Sequence, residues 1–262
     1  TVDKNLYIVT TNDGGENIGY IISDDGRELV LMTEKKGKIF IPKYAIKEIK
    51  KLKMTDFTAS GEYLPAEVFS TRYFITTNGL PIAKGESYIQ WNLFGPDFQF
   101  GVGKNFGLGI MTSWVGVPII GSAKYSILLT ENVNLGIGTL LGTGSWIIPE
   151  FGVALPFGSI TFGDNKKNIS FSGGYGAVFD GGDIEGRSLF SVAGMIKVAK
   201  KVTLVFDSFI VGRGKEEMIY NYNYNDPMGG TYINERRPGL ALLIPGIRWQ
   251  TSNKNAFQFG FL

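Results

Sequence analysis

Residues 98–114 read FQFGVGKNFGLGIMTSW. Phe98, Phe100 and Val102 alternate with Gln99, Gly101 and Gly103. After the polar pair Lys104-Asn105, Phe106, Leu108, Ile110, Thr112 and Trp114 alternate with Gly107, Gly109, Met111 and Ser113. A period of two on either side of a two-residue turn is a β-hairpin. The constraint lies in its two faces. A sheet in water sets large apolar side chains against a core and charged ones against solvent. Here one face is large and apolar, and the other is mostly glycine with hardly a charge.

The same pattern runs from about Ser87 to the end of the chain, and no helical period competes with it. In VNLGIGTLL, Val133, Leu135 and Ile137 oppose Asn134, Gly136 and Gly138. In ISFSGGYGAVF, Ile169, Phe171, Tyr175, Ala177 and Phe179 oppose Ser170, Ser172, Gly174 and Gly176. The last segment, AFQFGFL, sets Phe257, Phe259 and Phe261 against Gln258 and Gly260. A soluble sandwich would carry Lys and Glu on its outer face. A strand that faces lipid outside and a small, polar lumen inside carries this pattern instead. Trp91, Trp114, Trp146 and Trp249 fall toward segment ends, where an interfacial aromatic girdle sits. Short polar turns (104–105, 131–132, 164–168, 200–201, 252–255) alternate with longer links, an asymmetry typical of such barrels.

The expected fold is therefore all-β, with residues 86–262 forming an antiparallel transmembrane β-barrel of about 10 strands, within a range of about 8–12. One switch of face decides the count. Ile89, Trp91 and Leu93 point outward at odd positions, whereas Phe98, Phe100 and Val102 do so at even ones. A bulge at Gly95-Pro96-Asp97 makes ten strands and a turn makes eleven; the even number is favoured. RYFIT at 72–76 offers a further strand.

Charge separates this region from the start of the chain. Residues 1–54 hold 18 of the 50 charged side chains. LYIVTT, NIGYIIS, ELVLMTE and IFIP are separated by Gly-containing turns, and YAIKEIKKL closes the set as a last strand or a short helix. Five short strands in so few residues suggest an SH3-like or Sm-like barrel over 1–54. Lys47, Lys50, Lys51 and Lys53 read as a solvated face. Residues 55–85, beginning TDFTASGEYLPAEV, have the Gly, Pro and polar content of a linker.

Composition excludes several functions. The net charge is only +2, so nothing points to nucleic acid. There is no Cys, hence no disulfide, thiolate nucleophile or zinc–sulfur site, and no His, the commonest general base and neutral metal ligand. Asp180, Asp183 and Glu185 in DGGDIEG read as a solvated loop before they read as a calcium site. No enzyme activity, cofactor or metal is expected. No apolar run is long enough for a transmembrane helix. The opening TVDKN, without an initiator Met, is compatible with a removed export signal.

TRYFITTNGLPIAKGESYIQ (71–90) and FGVGKNFGLGIM (100–111) resemble phrases in the outer-membrane barrel proteins of Bacteroidota that carry an N-terminal SH3/Sm-like domain. The resemblance spans most of 60–262 and the front domain. It implies export, residence in the outer membrane of a Gram-negative bacterium and a periplasmic front domain. It implies no activity and no site residues.

Two groups of residues remain as candidates. Lys124, Lys197, Asp207 and Arg248 fall on the inner face, and in a low-dielectric lumen they are expected to pair, Asp207 with Arg248 foremost. In the long link, Tyr220, Tyr222, Tyr224 and Tyr232 lie in EEMIYNYNYNDPMGGTYINERR, a hairpin suited to a protein partner. The function that follows is a non-enzymatic structural or accessory subunit of an envelope assembly, with lipid and protein partners. A small passive channel is the alternative.

Overall fold

The computed structural model describes residues 5–58, 60–65, 67–222, 230–252 and 255–261, with only the backbone at 55, 183, 217–222 and 230–236. It is all-β, and the chain divides into two units, residues 1–65 and 66–262.

The first unit holds β1 (Leu6–Thr11), β2 (Glu16–Asp24), β3 (Glu28–Thr33), β4 (Gly37–Pro42) and β5 (Ile46–Lys51), all antiparallel in the order β4-β3-β2-β1-β5. Val9, Leu29, Leu31 and Ile41 form its core, with Ile21, Ile39 and Ile46 packed against them. The three hairpin turns carry Gly14, Gly26 and Gly37, each at a positive φ that a side chain disfavours. YAIKEIKKL resolves into one turn of 3-10 helix, Lys43–Ala45, and β5. Lys47, Lys50, Lys51 and Lys53 are exposed, as a solvated face requires. The unit extends past residue 54. The Leu64 amide donates to the Asp56 carbonyl at 2.8 Å, Phe57 bridges Tyr63, and Leu52 and Leu64 are buried.

The second unit is dominated by one antiparallel sheet. In chain order its strands are β6 (Ser87–Trp91), β7 (Pro96–Gly101), β8 (Phe106–Thr112), β9 (Ile119–Thr130), β10 (Val133–Gly144), β11 (Ile148–Gly163), β12 (Lys167–Asp180), β13 (Asp183–Ala199) and β14 (Val202–Val211). A separate hairpin, β15 (Glu216–Tyr222) with β16 (Gly230–Arg236), comes next, and β17 (Leu240–Gln250) and β18 (Ala256–Gly260) complete the sheet. Neighbours in sequence are neighbours in space, with β17 following β14.

The sheet has eleven strands rather than the favoured ten. Residues 92–95 form a turn and not a bulge: the Asn92 amide donates to the Gly95 carbonyl at 3.0 Å and the Gly95 amide returns the bond at 3.2 Å. Gly95 stands at φ +148°, and a Cβ there would lie 2.0 Å from the Thr112 carbonyl oxygen, so only glycine makes this turn. RYFIT is not a strand of the sheet. The acidic stretch at 180–185 is not a loop either, since Gly181-Gly182 is a tight turn and β12 and β13 run up to it.

Parity has a geometric result. In an up-and-down sheet with an odd number of strands, the first and last run in the same direction. β6 and β18 therefore cannot close the sheet as an antiparallel pair. Among the described residues no ladder joins them, so the expected hydrogen-bonded closure is not present.

The sheet is nonetheless strongly curled. β6 and β17 are nine steps apart in the strand order, more than about 40 Å across a flat sheet. Phe74 touches both edges. Its carbonyl accepts from Gln90 Nε2 of β6 at 3.3 Å, and its ring lies over Gly246 of β17 and Gly260 of β18. A Cβ at Gly246 would come within 2.6 Å of Phe74 Cζ.

Candidate functional site

Burial across the curled sheet is inverted relative to a soluble protein. The outward positions are large, apolar and exposed: Ile110 at 51%, Ile137 at 53%, Phe190 at 54% and Phe259 at 57%. The concave face is polar and closed: Asn134, Thr161, Asn168, Ser170, Ser191, Thr203, Asp207 and Arg248 are all buried. Trp91 and Trp114 stack at the edge opposite the short turns, ring centroids 5.9 Å apart, with Trp146 in the β10–β11 turn of that same edge. Trp249 lies at the short-turn edge.

The concave face is filled by residues 67–86, most of what the sequence suggested was a linker. This segment has little regular structure of its own, so its backbone polar groups need partners elsewhere. The strands supply them. Lys124 Nζ on β9 donates to Thr77 Oγ1 at 3.1 Å, the Asn78 carbonyl at 2.9 Å and the Leu80 carbonyl at 2.9 Å. The Gly79 amide donates to Thr161 Oγ1 on β11 at 2.8 Å. Tyr73, fully buried against Ala193, Met195 and Val205, donates its hydroxyl to Asn168 Oδ1 on β12 at 2.6 Å. On β14, Asp207 accepts the amides of Ile75 at 2.7 Å and Thr76 at 2.9 Å, and the Thr76 hydroxyl at 2.6 Å.

Charges pair between the segment and the wall. Glu67 lies 3.2 Å from Lys197 Nζ and 3.7 Å from Arg248 Nη1, and it accepts the Thr203 hydroxyl at 2.5 Å. Arg248 also caps two segment carbonyls, Phe69 and Arg72, at 2.6 Å each, and donates to Gln258 Oε1 at 3.0 Å. Arg72 Nη1 meets Asp97 Oδ2 on β7 at 2.5 Å. Lys197 donates additionally to Gln250 Oε1 at 2.9 Å.

The four inner-face charges read from the sequence are thus all inside, but the expected Asp207–Arg248 pair does not form. Register forbids it. Arg248 is opposite Thr203, whereas Asp207 is opposite Ile244, an offset of roughly 13 Å along the strands. The anion for Lys197 and Arg248 is Glu67, which sequence reasoning missed, together with Arg72, Tyr73 and Thr76. One signal pointed to Glu67: the inner face carries Lys124, Lys197 and Arg248 against Asp207 alone on the same four-residue reading, an excess of cation that a dry interior does not tolerate.

The candidate tyrosines belong to a hairpin outside the eleven-stranded sheet. In the β15–β16 hairpin Tyr220 is registered with Tyr232 and Tyr222 with Gly230. The side chains of Tyr220, Tyr222 and Tyr232, and Tyr224 altogether, lie outside the described residues. Among the described residues no cluster of Asp or Glu could hold a metal ion. Comparison with protein-family models, with curated proteins and with solved structures finds no match.

Proposed function

We propose that the second unit is a membrane-embedded β-barrel of a Gram-negative outer membrane, and that the protein is a non-enzymatic structural or accessory subunit of an envelope assembly. The observation that carries this is the inverted burial: a band of exposed large apolar side chains around a polar, ion-paired interior. Water would penalise that surface at about 25 cal/mol per Å² of apolar area, whereas a bilayer does not. The Trp residues at both strand ends suit the two interfaces. In this reading the short turns face the periplasm, β6 starts from that side, and the first unit is an SH3/Sm-like periplasmic module.

The filled interior favours the accessory reading over a passive channel. A pore needs a continuous wet path, and residues 67–86 tie down the concave face from β7 to β17. The portable surfaces are then the first unit and the β15–β16 hairpin with Tyr220, Tyr222, Tyr224 and Tyr232, which we assign to protein partners. Fractionation tests the membrane assignment. The protein is expected in the outer membrane, soluble only with detergent and heat-modifiable on gels. Detergent-free solubility of residues 66–262 as a monomer overturns it.

A further inference from the structure

The polar lining of the concave face stops before the edge opposite the short turns. Beyond the interior segment, positions of the same parity as Lys124, Thr161, Ser170, Ser191 and Asp207 turn apolar, before the charged end of β13. Ile120, Leu140, Val153, Leu155, Leu189 and Val211 line an open-mouthed cavity of about 360 Å³ there. No described residue fills it, and Val178 on its wall is left 41% exposed although it faces inward. Gly176 lets the wall side chains lie close over β12: a Cβ at that position would sit 2.9 Å from Leu189 Cδ1 and 3.8 Å from Leu155 Cδ1, so a side chain there pushes Leu189 into the chamber. A lumen that passes or holds water is lined by polar groups. An apolar chamber of this size is the usual form of a small-molecule site.

Among the described residues its rim carries two charges, Glu185 and Arg187. Arg187 donates Nε and Nη2 to Glu185 Oε1 at 2.9 and 2.7 Å and Nη1 to the Pro238 carbonyl at 3.3 Å. Arg237 reaches the other oxygen, Glu185 Oε2, at 2.5 Å. A guanidinium has five N–H donors in a planar fork, and these contacts of Arg187 use three. The remaining two suit a carboxylate at the chamber mouth.

We propose that this chamber binds a single-chain amphiphile, its hydrocarbon chain among Leu140, Leu155, Leu189 and Val211 and its carboxylate on Arg187. The assignment goes beyond the accessory reading and holds whether or not the chain joins an assembly. The test uses the full chain inserted in phosphatidylcholine vesicles, with heat-modifiable migration as proof of insertion. Failure to insert would count against the membrane reading, and failure to bind after insertion against this one. Dansyl-labelled undecanoate is titrated and then displaced with dodecanoate or dodecanol. Saturable binding, one probe per chain and above that of empty vesicles, is expected. Gly176→Leu and, independently, Val211→Trp occupy the chamber and should weaken binding about tenfold or more. Arg187→Gln should weaken dodecanoate several-fold and leave dodecanol unchanged. No saturable binding, or equal affinity in whichever filling variant inserts, overturns the site. Equal loss of dodecanoate and dodecanol in Arg187→Gln, or loss of neither, overturns the carboxylate assignment.

Discussion

Asp207 holds Thr76 twice, through the backbone amide at 2.9 Å and through the side-chain hydroxyl at 2.6 Å. The two residues are 131 positions apart in sequence. The contact shows how the second unit is built: a segment without its own ladder borrows hydrogen-bond partners from strands that are already paired.

Asp207→Ala should release this clamp. Two part-buried amides, those of Ile75 and Thr76, and one hydroxyl lose their charged acceptor, at about 1–3 kcal/mol in all, since water can partly replace it. Hydrogen exchange should show lost protection at Ile75 and Thr76 while β14 stays protected. Arg248→Met should not rescue the variant, because the two side chains are out of register. Recovery of stability in the double variant would contradict that geometry.

Glu67→Gln should be the most damaging single change to the interior. It leaves Lys197 and Arg248 without their shared anion, and uncompensated buried charge typically costs about 3–5 kcal/mol. Urea unfolding in lipid vesicles measures the loss. Adding Lys197→Met should recover part of it, since the excess charge falls by one.

Gly79→Ala should expel the middle of the segment. A Cβ there would lie 2.6 Å from the Asn134 carbonyl oxygen of β10, a backbone atom that cannot swing away. Limited proteolysis should then cut within 67–86, where the parent protein resists.

Conductance follows from the same filling. The parent protein should be silent in planar bilayers, and deletion of 67–83 should open a pore in whatever fraction still inserts. Steady ion conductance by the intact chain would favour the channel alternative.

The first unit offers an acid-sensitive turn. Asp25 accepts the amides of Arg27 and Glu28 at 2.9 Å each, and these bonds, that from Glu28 foremost, hold its carboxyl below the ordinary carboxylate range. A carboxyl depressed on folding contributes stability above its unfolded pKa and loses it as pH falls through the folded value. NMR titration of the full chain should show the Glu28 amide shifting only below about pH 4, and the shift should vanish in Asp25→Asn.

The alternation of residues decided a great deal by itself. With a period of two, Leu108 must lie opposite Gly109 within its strand, Ile137 opposite Gly136 and Phe171 opposite Ser170, and burying like with like then aligns these faces from strand to strand. That places strands, faces and the inward charges. The five-strand front unit was equally legible, because its turns are short and local. Three features were decided only by tertiary structure. The strand count turned on whether 92–95 bends or bulges, and Gly95 permits either until Thr112 of β8 packs against it. The charge pairing turned on register, which sets Arg248 opposite Thr203 and out of reach of Asp207. The role of residues 67–86 turned on partners far away in sequence. An irregular segment has no period, and its Gly, Pro and polar residues look the same in a linker as in a filled interior. What distinguishes the two is that Asp207 and Lys124 reach the segment's backbone and Glu67 reaches Lys197 and Arg248, contacts that exist only once the strands have curled.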